Sequence, residues 1–253
     1  MIAALPMYAR PENRAAHDIL WALIRDNLRA AGIAAPDGLD HQIAHMDSWA
    51  HPDLVLGQIC NLPYRARFHD SVTLIGNADY EIEGCAPGMY SSVIIARADD
   101  PRDTPLDFSD APFAFNEALS NSGYGAAYLW ANEKGLSLRP TLRTGAHAAS
   151  IAAVRDHQAD FAAIDTHTWW IESTRTPALA TALKVIDHTA QSPSMGFITR
   201  KGEDPAPYFA AISAAISTLP QHTRDTLRLR GIVRLPTYSY SIPLPPDPTN
   251  LSL

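Results

Sequence analysis

The sequence contains little cysteine and no long hydrophobic run, and both shortages restrict the class of protein. Only two of the 253 residues are cysteine, Cys60 and Cys85. A small disulfide-rich scaffold is therefore excluded, and the pair is compatible with two buried thiols or with one disulfide bond. The apolar stretches fall far short of the roughly 20 residues that a membrane-spanning helix needs, so we expect no transmembrane segment.

Positive charge is also scarce. Lys and Arg number 20 against 27 Asp and Glu, which gives a formal net charge of −7 and a pI near 5.7. Because nucleic acids and anionic membranes are bound through clustered Lys and Arg, and no basic run is present, the composition predicts no nucleic-acid partner.

Several catalytic signatures are missing as well. The chain has no glycine-rich phosphate loop followed by Lys-Ser or Lys-Thr, no dinucleotide-binding glycine pattern and no Gly-x-Ser-x-Gly elbow. His41 and His45 have a spacing that suits one helical face, but no third ligand accompanies them. We therefore expect no metal, no cofactor and no enzymatic activity.

The first residues lack a basic segment and a long apolar run. Met1 leads directly into Ile2 and the apolar residues up to Tyr8, so no secretory signal is predicted. This favours the cytoplasm, unless a signal was removed and a start Met supplied.

What is present is a regular alternation of strand-like and helical patterns. Apolar runs at residues 2–7, 53–60 and 90–97 predict buried strands, whereas Leu20, Ile24 and Leu28 follow a helical period. This alternation predicts an α/β fold.

The stretch Asn116–Tyr124 is the most informative part of the chain. It follows a strand-like Phe113–Phe115 and precedes a helix-forming run that ends at Lys134, before Gly135. Ser120, Asn121 and Ser122 all suit a helix N-cap. The start of a helix also has unpaired backbone N–H groups, which attract anions, so this stretch predicts either ordinary capping or an anion site.

Ligands of open α/β sheets bind beyond the carboxyl ends of the strands. The loops at those positions carry neutral hydrogen-bonding groups, aromatic rings, one histidine and one or two carboxylates, a set suited to binding a small polar ligand. The candidate ligand-binding residues are Tyr8, Gln58, Tyr64, Asn116, Ser120, Ser122, Tyr124, His147 and Asp165.

The order of these segments resembles the solute-binding components of phosphate/phosphonate-type ABC importers, which have the type II periplasmic binding protein fold that transferrin lobes share. The resemblance covers roughly residues 1–235. The segments that carry it are Asp53–Gln58 with Pro63–Tyr64, Tyr90–Ile95, Ser120–Gly123, Gly145–Ser150 and Ala159–Asp165.

This resemblance implies two α/β lobes, which close on a ligand by hinge motion about two crossing segments near Val93–Arg97 and Asp187–Phe197. The first lobe would contain residues 1–93 and 197–253, and the second residues 94–196. The resemblance also implies a monomer, a small anionic ligand, an ABC importer membrane subunit as partner, and a periplasmic location if a signal was removed.

Carried over by position, Ser120, Ser122 and the N–H groups behind them would hold the oxyanion of a phosphonate. His147 would add a donor from the next helix start. Tyr8 and Tyr64 would close over the ligand, and Asp165 would accept a hydrogen bond from the ligand or cap the loop after it.

Two other functions fit the same residues. One is a transferrin-like iron module that uses Tyr8, Tyr64 or Tyr124 with His147 and Asp165. The other is an enzyme of the same fold that acts on a small heterocycle, with Cys60 or His147 as the reactive group.

Overall fold

The apolar runs of the sequence form twelve strands within residues 1–250, the part of the chain that the computed structural model describes. In chain order they are β1 Ile2–Ala4, β2 Leu54–Ile59, β3 Val72–Asp79, β4 Met89–Tyr90, β5 Ser92–Arg97, β6 Pro112–Phe115, β7 Arg139–Arg143, β8 Phe161–Asp165, β9 Leu183–His188, β10 Ser192–Pro193, β11 Gly196–Arg200 and β12 Gly231–Val233.

The same residues contain nine α-helices and two π-helical turns. The α-helices are α1 Arg14–Ala30, α2 His45–Trp49, α3 Asn61–Pro63, α4 Ala126–Lys134, α5 His147–Arg155, α6 Thr166–Arg175, α7 Ala178–Ala182, α8 Pro205–Ser217 and α9 Gln221–Leu227. The π-helical turns are Tyr64–Phe68 and Asn121–Gly125.

The chain divides into two compact units. Unit 1 contains Met1–Met89 and Pro193–Ser241. Unit 2 contains Tyr90–Ser192 and the tail that begins at Ile242. The chain first passes between the units within β4 and returns within β10, and these two short strands pair with each other.

Unit 1 is built on a five-stranded sheet in the order β1-β2-β11-β3-β12. β1 and β2 are parallel, whereas β11 is antiparallel to both of its neighbours. Helix α1 packs against α8 and α9 and buries Leu20, Ile24 and Leu28, as their helical spacing predicts. Gly32 follows the helix with φ of +80°, a left-handed conformation that glycine adopts without steric cost.

Unit 2 has a five-stranded sheet in the order β7-β6-β8-β5-β9. The three strands β6, β7 and β8 are parallel, and β5 is antiparallel to β8 and β9. Alternate residues of these strands enter two separate apolar clusters. One contains Phe113, Phe161 and Trp130, and the other contains Ile95 and Ile151.

The unit boundaries differ from the predicted lobe boundaries by four residues. The prediction assigned residues 90–93 to the first lobe, but β5 starts at Ser92 and pairs with strands of unit 2. It assigned residues 193–196 to the second lobe, but Ser194 Oγ donates to the Ala78 carbonyl of unit 1 at 2.7 Å.

The tail also differs from the prediction, which placed all of residues 197–253 in the first lobe. From Ile242 onward the chain belongs to unit 2. The physical reason is packing against Tyr124, whose hydroxyl donates to the Pro246 carbonyl at 2.8 Å. Residues 251–253 of the predicted lobe lie outside the described part of the chain.

The composition raised two further questions, which concern a disulfide bond and a membrane-spanning helix. Within residues 1–250, Cys60 and Cys85 are not joined by a disulfide bond. None of the described helices combines the length and the apolar character needed to cross a bilayer.

Candidate functional site

Three neighbouring loops of unit 2 lie at one edge of its sheet. They follow β6, β7 and β8, which are adjacent and parallel, so their carboxyl ends share an edge. The first two loops are joined by backbone hydrogen bonds. The Thr144 N–H donates to the Phe115 carbonyl at 2.8 Å, and the Gly145 N–H donates to the Asn116 carbonyl at 2.9 Å. The residues that the sequence predicted to bind an anion lie in the first two of these loops.

The loop after β6 leads into the helix that the sequence predicted. Ser120 is the N-cap, and its Oγ accepts a hydrogen bond from the Gly123 N–H at 3.1 Å. The π-helical turn Asn121–Gly125 runs directly into α4, which ends at Lys134 before a left-handed Gly135. The predicted helix, its cap and its end are confirmed.

The head of this helix is joined to the head of the next one by a side-chain hydrogen bond. Ser122 Oγ lies 2.8 Å from Nε2 of His147, the first residue of α5. Ser122 is 3% exposed and His147 is partly exposed. Sequence reasoning placed both residues at helix starts, and the structure brings their side chains together.

The Ser122–His147 pair lies at the start of two helices, where the helix dipoles contribute positive potential. Both helices point their positive ends toward the Ser122–His147 pair. Glu117, in the same loop, is occupied by Arg143 of β7, whose Nε donates to Glu117 Oε2 at 2.9 Å. The donors at the two heads therefore remain suited to a negatively charged group.

Gly123 and Asn116 approach each other closely behind the cap. A Cβ atom on Gly123 would lie 1.9 Å from Asn116 Oδ1, so a larger residue there requires Asn116 or the turn to move. Asn116 is partly buried, and its side chain lies against Gly123 in the turn that carries Ser120 and Ser122.

Asp165 ends β8 and is almost fully buried. Its Oδ1 accepts from the Thr168 N–H at 2.9 Å, which makes it the N-cap of α6. Of the two roles that the sequence left open, the structure shows the cap.

Tyr124 lies one helical turn inside the same helix. It is 0% exposed, and burial raises the pKa of its phenol. Its hydroxyl is bonded to Pro246, so in this structure Tyr124 holds the tail.

The remaining three candidates lie in unit 1. Tyr8 packs edge-on against Tyr80, with ring centroids 5.0 Å apart. Gln58 is buried in β2, and its Nε2 donates to the Tyr80 hydroxyl at 3.0 Å. Tyr80, which contacts both of these residues, was not among the predicted site residues.

Tyr64 begins the π-helical turn of unit 1 and packs against Tyr240, with ring centroids 5.6 Å apart. Burial raises the pKa of both phenols. The Tyr240 hydroxyl donates to Asn77 Oδ1. Tyr240 was also missed, because only the fold brings residue 240 next to residue 64. Ligand roles for all nine candidates stay predictions.

Metal ligands do not converge in the described residues. No group of three or more His, Cys, Asp or Glu side chains there could hold a metal ion. Cys60, the thiol considered as a nucleophile, is buried.

Several solved structures resemble this chain along almost its whole length. XAC2383 from Xanthomonas citri, bound to chloride ion, has a TM-score of 0.68 and 17% identity, over 99% of this chain and 95% of the other. PhnD1 from Prochlorococcus marinus, in complex with methylphosphonate, has a TM-score of 0.70 and 14% identity, over 94% of each chain.

A third structure is a binding protein component of an ABC phosphonate transporter from Pseudomonas aeruginosa. It has a TM-score of 0.67 and 17% identity, over 95% of this chain and 82% of the other. At these identities the likeness shows the fold, which is the type II periplasmic binding protein fold, as predicted.

Family membership comes from the sequence itself. Comparison with curated proteins found no match. The model of the family described as ABC transporter, phosphonate, periplasmic substrate-binding protein matches residues 70–237, which is more than half of the chain. The chain therefore belongs to the family of periplasmic substrate-binding proteins of phosphonate ABC transporters.

Proposed function

We propose that this protein binds a small anion with a phosphonate-like head group, and that Ser120, Ser122 and His147 are its principal ligands. The observation that carries the proposal is the 2.8 Å hydrogen bond between Ser122 Oγ and His147 Nε2. It joins the heads of two helices whose strands lie side by side, so their donors converge on one place.

The chemistry of the pair suits an oxyanion. When His147 Nε2 carries a proton and donates it to Ser122 Oγ, the serine O–H is left to donate to a ligand oxygen. A doubly protonated His147 adds a positive charge, and hydrogen bonds between charged groups are roughly twice as strong as neutral ones. Ser120 adds a second hydroxyl at the same helix start.

The donor set also suits a ligand that must be released. Hydroxyl and backbone N–H groups are neutral, and His147 is charged only when it is doubly protonated, so the anion is not held by a permanent ion pair. We propose that the protein is monomeric and delivers its ligand to the membrane subunits of an ABC importer. Membership of the family supports this role.

Calorimetric titration tests the proposal. The protein is unfolded and refolded to remove any bound solute, and is then titrated with methylphosphonate, phosphate and methanesulfonate. We expect methylphosphonate to bind more tightly than methanesulfonate, because its three oxygens can carry two negative charges whereas those of the sulfonate carry one. Methylphosphonate is a sensible first probe since PhnD1, of the same fold, holds it.

Ser122→Ala should weaken methylphosphonate binding by about ten- to a hundredfold, which corresponds to one hydrogen bond to a charged group. Ser173→Ala is the matched control, because Ser173 Oγ bonds only within α6, to the Trp169 and Trp170 carbonyls. If none of the three anions binds to the folded wild-type protein, the proposed function is wrong.

A further inference from the structure

The side chain of Asn121 turns away from the serine pair and binds a different part of unit 2. It is 2% exposed, and its Nδ2 donates to the Tyr90 hydroxyl at 3.0 Å and to Ser192 Oγ at 2.9 Å. An amide nitrogen has two donors, and these contacts occupy both.

The two partners of Asn121 both lie in the strands that connect the two units. Tyr90 belongs to β4 and Ser192 to β10, the paired strands in which the chain passes from one unit to the other. Both partners are buried. One side chain at the head of the helix thus bonds both connecting strands.

The neighbouring residue adds a parallel link. The Ser122 carbonyl accepts from Ser92 Oγ at 2.9 Å, and the Ser92 N–H donates to Thr189 Oγ1 at 2.9 Å. Residues 121 and 122 are therefore both tied to the segments 90–92 and 189–192. The Ser122 hydroxyl meanwhile meets His147 on the side of the proposed anion site.

We infer that Asn121 is a positioning residue for ligand binding. It holds the Ser120–Ser122 turn at a fixed place on the connecting strands, so that an anion bound at the turn also stiffens β4 and β10. Both hydrogen bonds from Asn121 Nδ2 are buried, and each is accepted by a hydroxyl oxygen. A shift of the turn therefore lengthens or breaks these two hydrogen bonds. The inference rests on the proposed function.

Single substitutions in the partners test this without changing Asn121. Tyr90→Phe and Ser192→Ala each remove one hydroxyl, and each should weaken methylphosphonate binding by about two- to tenfold, the usual effect of one neutral hydrogen bond. Ser192→Thr keeps a hydroxyl and should restore affinity to within about twofold of wild type.

Ser194→Ala is the matched control. It removes another buried serine hydroxyl, which donates to the Ala78 carbonyl at 2.7 Å and is only two residues from Ser192. Both Ala variants should lose similar stability toward urea, whereas only Ser192→Ala should lose affinity. A merely structural role for the Asn121 bonds would move stability alone.

Amide hydrogen exchange provides the second measurement. In the wild type, methylphosphonate should slow exchange in peptides that cover residues 88–92 and 189–194. In the Tyr90→Phe/Ser192→Ala double variant this protection should disappear while the head of α4 is still protected.

The outcomes separate the two claims. Wild-type affinity and undiminished protection in the folded double variant would overturn the inference and leave the proposed function intact. Failure of the wild-type protein to bind methylphosphonate, phosphate or methanesulfonate would overturn both.

Discussion

Three consecutive polar residues at one helix head have three different partners. The Ser120 side chain caps the backbone, Asn121 binds the connecting strands, and Ser122 meets His147. Successive side chains of a helical turn point in different directions around the helix axis, so these three neighbours contact different groups. The residue type suggests a cap for all three, and only these directions assign the roles.

Gly123→Ala should damage this head. The added methyl would lie 1.9 Å from Asn116 Oδ1, and relief requires the turn or Asn116 to move. We expect a loss of roughly 1–3 kcal/mol in the free energy of unfolding, as for other overpacked sites, and weaker methylphosphonate binding. Urea denaturation and calorimetry measure the two effects.

Gly38→Ala is the control for the glycine substitution. No atom lies within 4 Å of a Cβ at that position, and Gly38 does not have a positive φ. It should leave stability and affinity unchanged. A Gly123→Ala protein as stable and as active in binding as Gly38→Ala would contradict the close approach seen here.

At the scale of elements, an ion-pair cluster fixes the opposite end of the unit 2 sheet. Arg102 binds Asp100 with two nitrogens, at 2.9 and 2.6 Å, and reaches Asp160 just before β8 at 2.9 Å. Arg97 at the end of β5 joins Asp100 at 3.3 Å. The cluster joins the end of β5 to the start of β8. The candidate site residues lie at the opposite end of these strands.

This cluster makes stability depend on pH. Hydrogen bonds from Arg102 lower the pKa of Asp100 from 3.8 to about 2, and the carboxylate is only 3% exposed. Because the folded pKa is depressed, the ionised group stabilises the fold above about pH 4, and the contribution is lost as the pH falls toward 2. The shift corresponds to on the order of 2 kcal/mol.

Asp100→Asn should therefore lower the free energy of unfolding by about 2 kcal/mol or more at pH 7. The difference from wild type should shrink between pH 4 and pH 2. Asp99→Asn, at the exposed neighbouring residue, should have little effect at either pH. Urea melts at several pH values would measure this, and a difference independent of pH would argue against the assigned cause.

At the scale of the molecule, the proline-rich tail is part of unit 2 rather than a loose end. Prolines restrict the unfolded tail, so ordering it costs less entropy. The Tyr124 hydroxyl fixes it through the Pro246 carbonyl. Since Tyr124 belongs to the site helix, the tail segment around Pro246 supports the element that carries Ser120 and Ser122.

Truncation after Ser241 should loosen that helix. Loss of the Pro246 contact removes one hydrogen bond and exposes a phenol that is now 0% exposed. We expect amide exchange in residues 121–134 to quicken by about fivefold or more, equivalent to about 1 kcal/mol. Exchange in the unit 1 sheet should stay the same.

Tyr124→Phe separates the hydrogen bond from the packing. It keeps the ring and the tail but removes the bond to Pro246, so it should give a smaller acceleration than the truncation. Unchanged exchange in residues 121–134 after truncation would show that the tail does not stabilise the helix.

Much of this architecture could be predicted from local pattern. The period of Leu20, Ile24 and Leu28 marked α1, and Ser120 with Gly135 marked the two ends of the site helix. The loops after β6 and β7 are predicted to form an anion site because strand, polar cap and helix follow each other within a few residues. Helical periods and helix caps depend on contacts between residues that are close in sequence, so they can be recognised in a single sequence.

The partners of these residues depended on the tertiary structure. The sequence by itself determined the α/β class, the family and the two helix heads at Ser122 and His147. Only the fold decided that Ser122 reaches His147, that Asn121 binds residues 90 and 192, and that the tail lies on Tyr124. These contacts join residues 25 to 122 positions apart, and no local periodicity encodes which distant residue packing will bring alongside.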